Sequence, residues 1–557
     1  MLFMRIIFLL IMIPMCYGRE QRWADSTLKK MSLEEKIGQL IMPAVPCNPQ
    51  AVTNFDRLFT LKLPTDLNQD YAERMMRDYH VGGFLLICEG EMPDQVASVN
   101  YLQSQSKVPL LITQDLESGL VRLKDAIKFC RNMTLGAIGD NRLLYQLGLY
   151  LGKQAKRLGV HIILGPVVDV NNNPRNPVIS DRSFGEDPAV VAKKGIAFMQ
   201  GVQDAGVIPC AKHFPGHGDT DIDSHVALPR IPHSMRHLHE VELVPFKALI
   251  TAGVQSIMTA HLMVPAVDSE YPTSLSYKTV HTLLTKELGF KGLVLTDGMI
   301  MKALTDNFGD GQAALQAFLA GSHILVFPAD VPRACERIKQ AILDGIISLQ
   351  ELDARVLKIL QIKEKLGLDQ CRYVQEDSVV QDIVTKEAID LKKELYRQAI
   401  TEVKNDNALP LLHDQKIALV QIGGTQVNSF VQQLQHAAGV THLYVPSSAP
   451  SSTFELLAKT LRAYKKVIIA VLDMNKFSAQ RWGISDQALT FIHDISENHS
   501  VNLVIFGSPY SLQLFGNQSS IMVAYEDDPD AHVAAAQVML GHLKPLGKLP
   551  VNIERVI

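Results

Sequence analysis

The chain has no excess of charge of one sign. Its formal net charge is −4 over 557 residues, with 54 Lys and Arg against 58 Asp and Glu, and no long basic or acidic tract. That removes any reason to expect nucleic acid or an acidic surface as partner. Cysteine is sparse, with seven in all. Beyond Cys16 these are Cys47, Cys88, Cys130, Cys210, Cys335 and Cys371, and no pair has metal-ligand or redox spacing. Cys88 and Cys210 sit in apolar runs and are expected as buried thiols, in a chain large enough to fold without disulfides. Internal repeats and low-complexity segments are absent. So is any apolar run long enough to span a bilayer. The longest, in "MLFMRIIFLLIMIPMCYG", reaches about ten residues, too short for a bilayer, and its single Arg and small terminal residues read as a signal peptide over 1–18. Gly18 after Cys16 fits a small-x-small cleavage site. A lipidated Cys16 is the alternative, disfavoured by the bulky Met15. The expected location is secreted or cell envelope, with no transmembrane helix once the signal is removed.

What is present is an alternation. "SLEE" at Ser32–Glu35 has the form of a capping box opening a helix. Short apolar runs follow, separated by longer helical patterns: "QLIMPA", "GGFLLIC", "PLLIT", "VHIILGP", "VIPCAK", "VQSIMTA", "GLVLT" and "SHILVF". Apolar strands alternating with helices argue for a parallel sheet covered on both faces. Eight such units predict an α/β chain whose first unit is a (β/α)8 TIM-type barrel, over residues 19–366. Residues 367–404 read as a helical linker. A second α/β pattern, in "KIALVQIGGT", "KKVIIAVLD", "VNLVIFGSPY" and "SIMVAYED", predicts a smaller α/β sandwich over 405–557. "IGGT" lacks the spacing of a dinucleotide fingerprint and reads as a tight turn.

Catalytic groups of a barrel lie just past the C-terminal ends of its strands. Asp115, Lys212 with His213, His261 and Asp297 all stand there. The stretch "KHFPGHGDTDIDSHVALP", Lys212–Pro229, concentrates three histidines, three aspartates and a lysine, with glycines and prolines that preclude a helix. Within it Asp223 and His225 are one residue apart. In a bend the carboxylate can accept a hydrogen bond from the imidazole, orienting the ring for general acid and base work. His213 and His217, with Asp219, Asp221 and Asp223 nearby, raise a metal reading. It is disfavoured because Pro215 and Gly216 prevent the helix that gives His-x-x-x-His its ligand geometry. "HSMRHLHE" at His233–Glu240 reads as a solvent-facing helix start. Asp297 in "LVLTDGM" is placed to act as a nucleophile. With His225 as acid/base it would make a retaining glycosidase with one carboxylate fewer than usual.

These motifs resemble glycoside hydrolase family 3, in its β-N-acetylglucosaminidase branch, over nearly the whole mature chain. "KHFPGHGDTDIDSH" is similar to that branch's signature, "DVNNNPRNPVISDRSFGEDP" (Asp169–Pro188) to the loop before it, and "LVLTDGMIMKAL" to the nucleophile segment. "GSPY" and "GKLPVNI" resemble the C-terminal sandwich. The resemblance implies Asp297 as nucleophile, His225 as acid/base oriented by Asp223, and Asp115, Arg182, Lys212 and His213 as hydroxyl-binding residues, with His261 close by. It implies no cofactor, no metal and a small oligosaccharide substrate. The function expected is a retaining exo-β-N-acetylglucosaminidase acting on peptidoglycan fragments or chitin oligosaccharides. Departures from the family pattern occur. The usual Asp-x-Glu-Gly-Gly-Arg-Val reads "DLESGLV" here, with Ser118 for a glycine and Leu120 for the arginine, which puts the support of Asp115 in question. His323 stands where an Asp is usual, and Gly298 follows the nucleophile. A glycoside phosphorylase, a β-glucosidase-type member and a non-catalytic envelope sugar-binding protein remain as alternatives.

Overall fold

The computed structural model describes residues 22–47, 68–309, 311–411 and 416–553. The expected leader and Cys16 lie outside them. Among the described residues no helix is long and apolar enough to cross a membrane.

Every apolar run of the first unit forms a strand: β1 (Ile41–Met42) and β2 (Ala44–Pro46), which are nearly continuous, β3 (Gly83–Ile87), β4 (Leu111–Gln114), β5 (Ile162–Ile163), β6 (Ile208–Phe214), β7 (Ser256–Thr259), β8 (Leu293–Thr296) and β9 (Leu325–Val326). β2 to β8 pair in sequence order, all parallel. β9 pairs with β1 in parallel, and Leu295 bridges Ile324. The eighth run therefore joins the first to the seventh, and the ring closes as a TIM-type barrel. Strands β3, β4 and β6 to β8 are buried along their whole length, since helices cover the outside and side chains fill the inside.

The helices follow local signals. Ser32 accepts from the Glu35 amide and donates its own amide back to the Glu35 carboxylate, which completes the capping box. The two long helices Asn141–Arg157 and Pro188–Asp204 pack closely because Gly148 and Gly201 face backbone of the opposite helix. A Cβ at either would lie 2.1 Å from a carbonyl oxygen, of Phe198 and Tyr145 respectively.

Two expectations change. Cys88 is not a free thiol: it is joined to Cys47, with Cα atoms 5.0 Å apart. The two are 41 residues apart in sequence. They become neighbours because each directly follows one of two paired strands, in which Pro46 aligns with Ile87. Cys210 is a buried free thiol, as expected, and burial pushes its pKa up to about 12. Secondly, the histidines of "HSMRHLHE" do not simply face solvent. Ser234 caps the helix Met235–Glu240, and His233 and His237 turn inward on Asp219 and Glu242.

Beyond the barrel, helices Leu349–Lys365, Val379–Ile383 and Lys386–Ala399 lead to a six-stranded sheet. Its strands are β10 (Thr401–Asn405), β11 (Ile417–Ile422), β12 (Thr441–Val445), β13 (Lys466–Val471), β14 (Ser500–Ile505) and β15 (Ser520–Val523). The order is β10-β15-β14-β13-β11-β12, parallel except for β10. Gly423 and Gly424 after β11 both take left-handed φ, of 79° and 70°, as a tight turn requires. This unit grips the barrel by specific bonds. The Tyr510 hydroxyl donates to the Asn171 backbone carbonyl (2.6 Å) and accepts from the Asn171 side-chain Nδ2 (2.9 Å), and the Glu526 carboxylate accepts from the Arg131 backbone amide (2.8 Å).

Candidate active site

At the C-terminal mouth of the barrel, Asp297 follows β8. Its backbone N–H donates to the Thr259 carbonyl (3.0 Å) and its carboxylate accepts from the Gly298 amide (2.8 Å). Burial alone would raise its pKa, but the imidazoles of His213, His261 and His225 and the Gly298 amide outweigh it and hold the carboxyl at about 2. Asp297 is therefore an anion at any working pH. The three imidazoles thus lie near enough to Asp297 to act on its charge.

Each imidazole is held by a different device. His213 lies at the end of β6, with Nδ1 2.7 Å from the buried Asp169 carboxylate. The same carboxylate accepts the backbone amides of His213 (3.1 Å) and His217 (2.7 Å), so Asp169 sets the root of the whole segment. His261, after β7, is fully buried. Its Nε2 lies 3.1 Å from the Gly298 carbonyl, which can only accept, so Nε2 carries the proton; Nδ1 then accepts from the Ser274 hydroxyl at 2.7 Å. Burial lowers the pKa of His261, and the nearby Asp297 charge works against that shift. His225 has both its backbone amide (2.9 Å) and its Nδ1 (2.7 Å) on Asp223 Oδ1. Burial pushes the Asp223 carboxyl up, but the His225 hydrogen bond and charge bring it below its ordinary value, so it remains a carboxylate. The dyad expected from Asp-x-His is formed.

The segment carrying this dyad is docked. The carbonyl of Ser224, between Asp223 and His225, accepts the amide of Ala303 (3.2 Å), six residues beyond Asp297. Further back, the Asn176 side chain donates to the carbonyls of His217 (2.8 Å) and Gly218 (2.9 Å). Gly218 lies so close to the loop 167–182 that a Cβ would stand 1.8 Å from the Val170 carbonyl oxygen.

On the other side is a cationic pair wrapped around one carboxylate. Arg182 meets Glu117 through Nε (2.8 Å) and Nη2 (2.7 Å), and Lys212 reaches both Glu117 (2.6 Å) and Asp115 (2.7 Å). Burial would lower the pKa of Lys212, but Asp115 and Glu117 raise it above its ordinary range. Burial pushes Glu117 upward, and Arg182 and Lys212 override it to hold it well below the usual carboxylate range. Asp115 is half-exposed toward the cleft, whereas the Lys212 side chain is only 3% exposed. The support of Asp115 thus comes from Lys212, while Leu120 is buried in the core.

Sequence reasoning missed Glu117, Asp169 and Lys476. Glu117 lies two residues from Asp115 in the quoted "DLESGLV", but its partners, Arg182 and the β6 residue Lys212, are distant in sequence. Asp169 opens "DVNNNP" yet has no charged neighbour in sequence. Lys476 arrives from the C-terminal unit: its carbonyl lies 3.5 Å from the Ser180 hydroxyl, and its ammonium, whose pKa burial lowers, feels Asp181, Arg182 and Asp223. His323 proves remote from the cleft. It precedes β9 at the opposite end of the barrel, where Nδ1 accepts the Val294 amide (3.1 Å).

Residues 32–362 match the family described as Glycosyl hydrolase family 3 N terminal domain. The chain belongs to this family. Beta-hexosaminidase A of Pseudoalteromonas piscicida is 30% identical over 556 residues, covering 88% of this chain and 92% of its own. A beta-N-acetylglucosaminidase/beta-glucosidase of Cellulomonas fimi is 30% identical over 404 residues, 70% of this chain and 68% of that one. A solved family 3 beta-N-acetylglucosaminidase from Paenibacillus sp. str. FPU-7 superposes with a TM-score of 0.79 at 28% identity, covering 94% of this chain and 99% of that one. The family 3 chain described here is a glycoside hydrolase.

Proposed function

We propose that this enzyme is a retaining exo-β-N-acetylglucosaminidase that removes terminal β-linked N-acetylglucosamine from peptidoglycan fragments or chitin oligosaccharides. The observation that carries this reading is the docking of the Asp223–His225 pair, through the Ser224 carbonyl, onto the segment that follows Asp297. The names of the Pseudoalteromonas, Cellulomonas and Paenibacillus relatives support the sugar.

In the first step the Asp297 carboxylate attacks C1 while His225 gives its Nε2 proton to the leaving oxygen. The positive ring is balanced by Asp223 at Nδ1. In the second step neutral His225 takes a proton from water, which displaces Asp297 from C1. Two inversions give net retention. Asp115, Lys212, Arg182 and His213 bind the hydroxyls of the terminal sugar. The Lys212–Asp115–Glu117–Arg182 array, buried except for Asp115, is pre-oriented for that task, and His261 keeps the Gly298 turn in place behind Asp297. The barrel of residues 19–366 carries these groups, and the linker and sandwich (367–404 and 405–557) supply the wall that holds Lys476. Residues 1–18 act as an export signal, placing the enzyme outside the cytoplasm, and the intact mass of the processed protein tests that assignment.

The decisive experiment is trapping with a fluorinated N-acetylglucosaminide followed by peptide mapping. Label on Asp297 is expected; label on another residue overturns the assignment. Release of free sugar at a rate independent of added phosphate is expected as well. Sugar-1-phosphate as the product would replace hydrolysis by phosphorolysis.

A further inference from the structure

Among the described residues, four side chains outside the cleft bring their donor atoms within 4.8 Å of one another: Asp219, His233, His237 and Glu242. Asp219 Oδ2 is 2.7 Å from His233 Nε2, the rings of His233 and His237 stack with centroids 4.0 Å apart, and His237 Nε2 is 3.3 Å from Glu242 Oε1. That last contact is close enough for charge attraction but lacks hydrogen-bond geometry. Consequently both Glu242 carboxylate oxygens and His237 Nε2 are buried without a hydrogen-bond partner. The Glu242 side chain is 1% exposed. A carboxylate stripped of water and given no donor is among the costliest arrangements in a protein interior. It points into a group that offers two imidazole nitrogens and a second carboxylate.

We infer that Asp219, His233, His237 and Glu242 form a binding site for one divalent cation of the zinc class. Two imidazoles and two carboxylates are a donor set that suits such an ion. Metal–ligand bonds of about 2.0–2.2 Å place tetrahedral donors about 3.4 Å apart, so the cluster needs only a small contraction. The proton now shared between His233 Nε2 and Asp219 Oδ2 leaves to solvent as the ion takes its place. Asp219, His233 and His237 are each partly exposed, which gives the ion a path in.

The site also has a position that gives it a task. Asp219 belongs to the segment that carries Asp223 and His225, whereas the other three belong to 233–242. The same two segments touch again where Gly216, at φ 141°, sits against Glu242. A Cβ there would lie 2.7 Å from the Glu242 Cβ. A bound ion would clamp the base of the catalytic segment onto the barrel. This second part rests on the acid/base reading of His225; the ion binding does not.

The test uses the full-length chain, stripped with chelator and then titrated with Zn²⁺ by calorimetry and with Co²⁺ by absorbance. One equivalent of each is expected, with the visible bands of four-coordinate Co²⁺ and no thiolate band. His233→Ala and Glu242→Gln should each weaken uptake by at least about 100-fold, more than loss of an outer-shell partner does. Should Glu242→Gln fail to fold by circular dichroism, Asp219→Asn, at the exposed side of the cluster, carries the same test. No uptake by the folded wild type, or equal uptake by the variants, overturns the site. Zn²⁺ should also raise kcat on an alkyl N-acetylglucosaminide, and uptake without a change in rate overturns the clamp. A chain that binds the ion but hydrolyses no N-acetylglucosaminide would instead count against the proposed function alone.

Discussion

Asp297 and His225 differ in what they need from their surroundings, and substitutions should separate them. Asp297→Asn removes the nucleophile and is expected to cost at least about 10⁴-fold in kcat, by analogy with other covalent catalysts. His225→Ala removes the general acid. On alkyl glycosides it should lose about 10²–10⁴-fold, and on dinitrophenyl glycosides far less, because that leaving group needs no proton. Equal losses on both substrates would take the acid role away from His225. Because Asp297 is held at about 2, the first step alone, read as the burst of dinitrophenol from a dinitrophenyl glycoside, should keep its rate from about pH 7 down to about 4, since that step needs no proton and His225 acts as base only in the second. The linkage has the same sign: Asp297, depressed in the fold, stabilises above its unfolded value and loses this only as pH falls toward 2. An acid limb centred near 4 to 5 in that assay would contradict the neighbourhood described for Asp297.

The element that matters most is the segment from Gly216 to His225, and its shape depends on contacts it cannot make alone. Asn176 ties it by two carbonyls, and its own Oδ1 accepts the amides of Val178 and Ile179. Asn176→Ala orphans these groups and should cost about 1–3 kcal/mol. Since the loss falls on the segment that carries the dyad, kcat should drop while the KM of the sugar changes little. Thermal unfolding together with steady-state kinetics checks both. Most of the elements were legible in the sequence. The eight runs became strands because uninterrupted apolar residues suit only a position buried on both faces. The Asp223–His225 pair was legible because a bend brings residues two apart together. Glu117 and Asp169 were not, since the partners that define them arrive from other strands. The Cys47–Cys88 link was hidden for the same reason: only strand pairing makes those positions adjacent.

At the scale of the whole molecule, stability should be acid-sensitive through buried neutral histidines. Burial holds His161 at about 3 and His217 at about 4, and puts His323 well below its ordinary range. His161 and His323 accept strand amides at the far end of the barrel, which requires the neutral ring. In the unfolded chain these rings take up protons near 6.5. Stability is thus full above pH 6.5 and falls as the pH drops toward the folded values. From its shift, His161 alone accounts for about 2 kcal/mol lost at pH 5 relative to pH 7. His161→Asn, which keeps an acceptor and removes the titration, should flatten the melting temperature between pH 7 and 5. The contact between the two units is tested by Tyr510→Phe. It strips Asn171 of both a donor and an acceptor in a buried site and should lower the melting temperature, with a loss of about 1–3 kcal/mol.

By itself the sequence determined the order of strands and helices, the barrel they close and the residues at the strand ends, because apolar period and turn chemistry are local properties of a chain. Only the tertiary structure decided which charges meet. Lys212 and Arg182 share Glu117, three imidazoles converge on Asp297, and Asp219 comes to face Glu242. The physical reason is that burial makes an ionisable group dependent on its partner. That partner is chosen by folding, and Lys212 and Asp115 meet although they are 97 residues apart.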